Sequence, residues 1–560
     1  MLLGIDVGGT HTDAVIIDHE GVVATAKVET DHNDLIASLD AVLEKILQSE
    51  PKRPIRKVNL STTLTTNAIV EKELEEVGVL AVSGPGLAPA HFNQDLGQNF
   101  YLFAGSIDHR GALQQPLDKA ATTQAINDCQ TKKIKVFAVV SKFSTRNPEI
   151  EEAMAELVFE QSDFTTIGHR LSGHLNFPRR LATAYYNAAV WRRYNVFADA
   201  VGQSIRKHHL DAPLSILKAD GGTIDFKNSR NHPIQTILSG PAASVMGIIA
   251  LSSITEDAII LDIGGTTTDI AIFADGTPLL EKNGVSFGGR ATSVRAINTN
   301  SIGVGGDSAI TISSAGEIRV GPKRMGPPLA LAGPQPTLID VCNVKGLSAL
   351  GDCRKSLIGL KALADKYGIT IENITENALE TALETIHGEA LKLLEEINQR
   401  PVYTVAEVVH GAAIKPQKLY IMGGPAAILA PLLGRKFALP TEVPDNFAVA
   451  NAIGTALTRT TMEIELFADT GKKLMFIPNL GIRKTIDNSY SLSQAQTYCI
   501  NELVKYLNEN GHPEITAADV SVVEAETFNM VDDYSAGSKS IRVSCQIRPG
   551  LETEYLQGIK

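Results

Sequence analysis

The chain is poor in cysteine. Five occur in 560 residues, at Cys129, Cys342, Cys353, Cys499 and Cys545, and none forms a C-x-x-C pair. Such spacing excludes a zinc ribbon or a cysteine-ligated iron–sulfur cluster and leads us to expect free thiols in a reducing compartment. The 13 histidines include no H-E-x-x-H, which excludes a helical two-histidine zinc site. Positive charge is also short. Lys and Arg number 51 against 63 Asp and Glu, a formal net charge of −12. A nucleic-acid surface calls for a basic stripe, so nucleic acid is not an expected partner. No apolar run approaches the ~18 residues that a membrane span needs, and no charged-then-apolar leader precedes Leu2. These absences predict a cytoplasmic protein with no membrane partner.

What is present is repetition. "LLGIDVGGTHTDAVIID" runs from Leu2 to Asp18, and "IILDIGGTTTDIAIFAD" runs from Ile259 to Asp275. The shared frame, D-x-G-G-T-x-T-D, covers Asp6–Asp13 and Asp262–Asp269. Each copy reads as a β-hairpin with a Gly-Gly tip. Paired glycines let backbone N–H groups approach an anion closely. The hydroxyls of Thr10, Thr12, Thr266 and Thr268 can donate to phosphate oxygens. Asp6 and Asp262, just before each tip, stand where a carboxylate holds Mg²⁺ or its waters, or orients an attacking hydroxyl or water. Two structural hairpins left by duplication are the plain alternative. They would not account for the match at Asp and Thr as well as at Gly.

The remaining pattern is α/β, strands and helices in alternation. Strands are predicted at Leu2–Val7, Ala14–Ile17, Val58–Leu60, Val77–Val82, Lys135–Val140, Leu214–Lys218 and Lys418–Met422. Helices are predicted at Asp34–Gln48, Leu181–His208, Lys355–Lys366 and Glu376–Gln399, from apolar residues at helical spacing. The acidic run Glu73–Glu76 reads as a solvated helix face. Past Leu466 a helix (Gln494–Asn508) and strand-like runs (Val520–Val523, Ile541–Ile547) predict a small C-terminal α/β module.

The two hairpins resemble the phosphate-1 and phosphate-2 loops of the actin, heat-shock-chaperone and sugar-kinase (ASKHA) superfamily. "LYIMGGPAAILAPLL", Leu419–Leu433, is similar to its adenosine loop, with Gly423 and Gly424 against adenine and ribose. The ordered series "STTLTTNAIVEKE", "LKADGGT", "ILSGPAASVMG", "LDIGGTTTDIAI" and "IGVGGDSAI" resembles the hydantoinase A / 5-oxoprolinase family, which includes acetone carboxylase subunits. The resemblance covers roughly residues 1–456. It implies duplicated actin-like (ribonuclease H-like) ATPase domains facing a nucleotide cleft. We expect an N-terminal hydantoinase/oxoprolinase domain over 1–180, a hydantoinase A-type domain over 181–465, and the C-terminal module over 466–560.

By that resemblance Asp6, Gly8, Gly9, Thr10, Thr12 and Asp13 form the first phosphate loop. Asp262, Gly264, Gly265, Thr266, Thr267 and Asp269 form the second, with Gly305 and Gly306 alongside. Asp6 and Asp262 are the expected catalytic and metal-holding residues. Thr62, Thr63, Asn67, Ser239 and Gly240 fall on the substrate side, and Arg180, Thr183 and Asn187 match a further motif. For the last three, and for Ser239–Pro241, caps or packing contacts are the plain alternative. The expected cofactors are ATP and Mg²⁺ or another divalent cation. The expected activity is ATP-dependent activation of a lactam or hydantoin carbonyl for ring opening. A hydantoinase B-type partner subunit and a homo- or hetero-oligomer are implied as well. A small-molecule kinase of the same fold, or a nucleotide-binding regulator or scaffold, is the alternative. The chain departs from the family at Asp307, where the family's G-A-G-G-G-S has glycine.

Overall fold

The computed structural model describes residues 1–31, 34–49, 53–87, 96–281, 283–399, 413–532 and 535–559. The first sheet opens with three antiparallel strands, β1 (Leu2–Val7), β2 (His11–Asp18) and β3 (Gly21–Glu29). Helix α1 (Leu35–Leu47) then leads to β4 (Lys57–Thr62), parallel to β1. Asp34 caps α1, accepting from the Ala37 N–H at 2.9 Å. After α2 (Leu64–Val70) comes a second, four-stranded sheet of β5 (Val77–Val82), β6 (Phe100–Leu102), β7 (Val136–Ser141) and β8 (Phe164–Ile167), in the order β8-β7-β5-β6. The acidic run Glu73–Glu76 follows α2 in an irregular connection rather than forming a helix face. Glu73 and Glu75 pair instead with Arg193 and Arg192.

Helix α3 (Phe177–Lys207) joins the two sheets. At 31 residues it is about 46 Å long. Its first half packs Phe177, Leu181, Ala184 and Ala188 on the second sheet. Its second half packs Tyr194, Phe197, Val201 and Ile205 on the first. The chain then returns to the first sheet as β9 (Leu214–Leu217), parallel to β4, and β10 (Thr223–Asp225). The break expected at residue 180 therefore falls inside a continuous helix. Strand pairing carries the first unit on to Asp225.

The third sheet repeats the first. Helix α4 (Ser239–Leu251) leads into β11 (Ala258–Ile263), β12 (Thr268–Ala274), β13 (Thr277–Pro278) and, on the same β12 edge, β14 (Thr299–Ile302). A hairpin of β15 (Ser308–Ile312) and β16 (Ile318–Arg324) follows, then helices α5 (Leu338–Val344), α6 (Cys353–Tyr367) and α7 (Ile371–Asn398). Strand β17 (Lys418–Met422) lies parallel to β11, and after α8 (Ala426–Phe437) the short β18 (Thr441–Glu442) lies parallel to β17. The orders β3-β2-β1-β4-β9 and β14-β12-β11-β17-β18 are the same topology written twice. This is the duplicated actin-like, mixed α/β fold.

Helices α4 and α9 (Ala450–Leu457) fill the space between the two repeats. Helix α4 is apolar all round, as a helix packed on both sides must be. Their axes approach so closely that a Cβ on Gly454 would stand 2.3 Å from the Gly247 nitrogen. The C-terminal module is an antiparallel sheet of β19 (Glu463–Asp469), β20 (Leu474–Ile477), β21 (Ile482–Thr485), β22 (Val520–Asp532) and β23 (Ser535–Ile547). It is backed by α10 (Leu492–Glu509), capped by a Ser491/Gln494 capping box. All five cysteines are free. Among the described residues no helix is long and apolar enough to cross a membrane.

Candidate active site

The two Gly-Gly tips face each other. In the first, the Gly8 N–H donates to the His11 carbonyl at 3.1 Å; in the second, the Gly264 N–H donates to the Thr267 carbonyl at 2.9 Å. The hydroxyls of Thr10 and Thr266 meet across the gap at 3.0 Å. Gly9 and Gly424 would each carry a Cβ into open space, so their backbones are free to approach a ligand. Thr12 is different. Its buried hydroxyl pairs with that of Thr30 at 3.0 Å, and the equivalent Thr268 donates to the Val304 carbonyl at 2.6 Å. These two threonines brace the hairpins from behind, whereas the hydroxyls of Thr10 and Thr266 meet in the gap between the tips.

Four carboxylates converge under the tips. Asp6 pairs in register with Asp13 across β1 and β2, and Asp262 with Asp269 across β11 and β12. Asp6 is pushed up to about 7 by burial, with the charges of Asp13 and Asp262 adding to it. Asp269 is pushed up to about 7 by burial, then by Asp262 and Asp6. Asp262 is raised by burial, against hydrogen bonds from Ser244 Oγ (2.6 Å) and Asn451 Nδ2 (3.1 Å). Asp13 is raised by burial although Lys27 Nζ sits 2.9 Å from it. One oxygen each of Asp6, Asp13 and Asp269 is buried without a hydrogen-bond partner.

Such orphaned, mutually repelling oxygens fit a hydrated divalent cation, which takes one or two carboxylates and otherwise water and phosphate. Among the described residues no group of three or more His, Cys, Asp or Glu side chains could hold an ion unaided.

The second loop is roofed by the 303–308 turn. The Gly306 N–H donates to the Gly264 carbonyl at 2.9 Å and the Asp307 N–H to the Gly265 carbonyl at 2.7 Å. The Asp307 carboxylate, at the position where the chain departs from its family, is paired with Arg324 Nε at 3.1 Å. On the far side, Gly423 adopts φ +89°, and a Cβ there would lie 2.5 Å from Asp262 Oδ1. Only glycine lets the third loop come down beside that carboxylate.

Thr62, Thr63, Asn67, Ser239 and Gly240 form one group. Ser239 Oγ donates to the Thr62 carbonyl at 2.7 Å, Asn67 Nδ2 lies 3.4 Å from Thr63 Oγ1, and a Cβ on Gly240 would touch Thr63. Arg180, Thr183 and Asn187 instead bind neighbouring segments. Buried Arg180 donates to the His174 and Ser141 carbonyls, and Thr183 and Asn187 accept from the backbone N–H groups of Ser293 and Ile234. Lys27, Ser244, Arg324 and Asn451 were not singled out by motif. Ser244 lies inside the quoted ILSGPAASVMG stretch and Asn451 on α9, whereas Lys27 and Arg324 lie on strands with no local signal.

The family model of the hydantoinase/oxoprolinase N-terminal region matches residues 2–162, and that of hydantoinase/oxoprolinase matches residues 180–464, half of the chain. The chain belongs to the hydantoinase/oxoprolinase family. This family member is 28% identical over 382 residues to caprolactamase subunit alpha of Pseudomonas jessenii, covering 61% of this chain and 52% of that one. It is 22% identical over 442 residues to the acetone carboxylase beta subunit of Xanthobacter autotrophicus, covering 68% and 60%. A nucleotide-free acetone carboxylase structure superposes with TM-score 0.74 at 16% identity, over 99% of this chain and 88% of that one. The ATP-dependent caprolactamase of Pseudomonas jessenii superposes with TM-score 0.65 at 18% identity, over 97% and 87%. The chain spans 52–64% of the length of four curated relatives that each match more than 60% of it, and 29% of the 5-oxoprolinase of Saccharomyces cerevisiae.

Proposed function

We propose that this chain is the ATP-dependent subunit of an enzyme that phosphorylates the carbonyl oxygen of a lactam or hydantoin and so primes the ring for opening. The observation that carries the reading is the pair of facing phosphate loops, joined at Thr10 and Thr266, over four buried carboxylates. The relatives include caprolactamase, 5-oxoprolinase and acetone carboxylase subunits, whose names span cyclic amides and ketones. Several are subunits by name, which supports a hydantoinase B-type partner.

An amide carbonyl is a weak electrophile. Transfer of a phosphoryl group to its oxygen makes a better leaving group, and catalysis is then chiefly positioning and charge stabilisation. ATP with a divalent cation supplies the phosphoryl group and neutralises its charge. Backbone N–H groups of Gly9, Thr10, Gly265 and Thr266 line the phosphate path, and the two threonine hydroxyls donate to it. Gly423 and Gly424 form the platform for the nucleoside. Asp262, held by Ser244 and Asn451 through one oxygen, would use the other to hold the cation or its water. When the amide oxygen attacks phosphorus, the ring N–H becomes acidic and must lose its proton. We assign acceptance of that proton to ionised Asp6, one oxygen of which has no hydrogen-bond partner. The Thr62, Thr63, Asn67, Ser239 and Gly240 group is assigned to the ring.

The test is phosphate release from ATP and Mg²⁺ in the presence of 5-oxoproline, hydantoins, a seven-membered lactam, simple ketones and sugars. Release stimulated by a lactam or hydantoin is expected. Formation of a sugar phosphate would overturn the reading in favour of a hydroxyl kinase.

A further inference from the structure

Lys27 and Arg324 both bring positive charge to the phosphate loops. Burial, and then these two charges, push His11 of the first loop down to about 4. Lys27 is spent: its Nζ bonds to Asp13 at 2.9 Å and to the Ala448 carbonyl at 3.1 Å. Arg324, the last residue of β16, is not. It bonds to Asp307 through Nε alone, at 3.1 Å, and to no other acceptor among the described residues. A guanidinium has five N–H donors, so those on its two terminal nitrogens are unused. Neither nitrogen is among the chain's buried, unpartnered atoms, so solvent reaches both.

The carboxylate that carries Arg324 stands at the seam between the loops. Asp307 Oδ2 lies 2.8 Å, and Thr10 Oγ1 3.0 Å, from the point where Gly265 would carry a Cβ. Thr10 Oγ1 in turn meets Thr266 Oγ1 at 3.0 Å. Arg324 is thus one carboxylate away from the two hydroxyls that face each other across the gap. A glycine at position 307, as in the family's motif, would hold no cation here. The departure at Asp307 therefore brings a guanidinium to the loops along with its own negative charge. Held by Nε, such a group keeps a planar pair of donors that matches phosphate oxygens.

We infer that Arg324 is a catalytic residue that contacts the nucleotide: its terminal nitrogens bind the terminal phosphate of ATP and stabilise the charge on the phosphoryl group during transfer. The guanidinium stays protonated throughout; it supplies charge, and no bond to it forms or breaks. The inference rests on ATP lying at these loops, as proposed above, and not on which acceptor takes the phosphoryl group. A cation of this kind supplied from within the chain is worth about 10³-fold or more in phosphoryl-transfer rate. ADP has no terminal phosphate for it to hold, so the contact is read as a preference for triphosphate over diphosphate.

Calorimetry with Mg²⁺ and either ADP or the non-hydrolysable β,γ-imido analogue of ATP tests this on the full chain. Arg324→Ala is expected to lower the ratio of analogue to ADP affinity at least tenfold. That loss alone could come from the stranded Asp307 carboxylate repelling the terminal phosphate. The deciding comparison is therefore Asp307→Gly against the double variant Asp307→Gly/Arg324→Ala, in which no carboxylate is left behind. The double variant is expected to show a ratio at least tenfold below Asp307→Gly, with ADP affinity within twofold, and phosphate release at least a hundredfold slower. An equal ratio in these two variants would mean that Arg324 only neutralises Asp307, and would overturn the inference. Equal loss of both nucleotides in the double variant would overturn it as well, by making Arg324 a structural residue. A wild-type chain that binds neither nucleotide would remove the ATP-dependent reading itself, and this inference with it.

Discussion

Replacing Asp262 by Asn separates chemistry from fold at this site. The carboxylate is buried, and one oxygen accepts from Ser244 at 2.6 Å and Asn451 at 3.1 Å. An Asn side chain of the same shape can still accept both bonds through its oxygen. Hydrogen bonds to a charged group are worth about 1.5–3 kcal/mol and neutral ones about 1, so the exchange costs roughly 1 kcal/mol. Burial already raises the Asp262 pKa, and removing the charge relieves that penalty. The two terms oppose, and the melting temperature is expected to move by no more than about 3 °C. Turnover is another matter. The neutral amide cannot stabilise the cation's water, and loss of one such electrostatic group typically costs about 10²–10³ in rate. Phosphate release and a thermal melt on the same preparation read the two effects. Release within threefold of wild type, with the fold intact, would refute the role given to Asp262.

Three further outcomes follow from the same geometry. A Cβ on Gly265 would stand 2.8 Å from Asp307 Oδ2 and 2.9 Å from Thr10 Cγ2, so Gly265→Val should wedge the loops apart and weaken ATP binding at least tenfold by calorimetry. Arg324→Ala strands the Asp307 carboxylate and should cost about 2–3 kcal/mol; adding Asp307→Gly should recover most of the lost melting temperature. Asp6 and Asp269 keep their protons to about pH 7 in the folded chain but lose them near 3.8 when unfolded. Between those values the folded chain holds more protons, so the unliganded protein loses stability as pH rises from about 4 to 7 and levels off above. Mg²⁺–ATP favours the ionised carboxylates, so its thermal stabilisation should be larger at pH 8 than at pH 5.5; equal stabilisation at both would remove these two groups from the site.

Much of the candidate site was legible because its residues lie in short, contiguous motifs. Val77–Val82 and Lys418–Met422 fall at their predicted bounds because each is an apolar run ended by polar or glycine residues. The meeting of Thr10 with Thr266 follows from reading the two hairpins as partners. Other features needed the fold. Thr12 shares the motif with Thr10, but Thr10 lies in the turn before β2 whereas Thr12 lies inside the strand, where its buried hydroxyl meets Thr30. A boundary was expected at 180, between the stretches that the two family models match, and the continuity of α3 through it from Phe177 to Lys207 needed the fold. Strands β22 and β23 are 13 residues each, yet only Val520–Val523 and Ile541–Ile547 stood out. Glu524, Glu526 and Asn529 break the apolar pattern on β22, an edge strand. Lys27 and Arg324 have no signal in their neighbours, since each is defined by a carboxylate on another strand or loop.

The central claim is that the carbonyl oxygen itself is phosphorylated. A lactam or hydantoin carrying ¹⁸O in its ring carbonyl, turned over with ATP and Mg²⁺ by this chain together with the partner subunit proposed for it, tests this directly. If the oxygen is phosphorylated and water then attacks the carbon, the original carbonyl oxygen leaves with phosphate. Mass spectrometry of the released phosphate is expected to show one ¹⁸O per ring opened. Unlabelled phosphate, with the ¹⁸O retained in the opened product, would contradict the account.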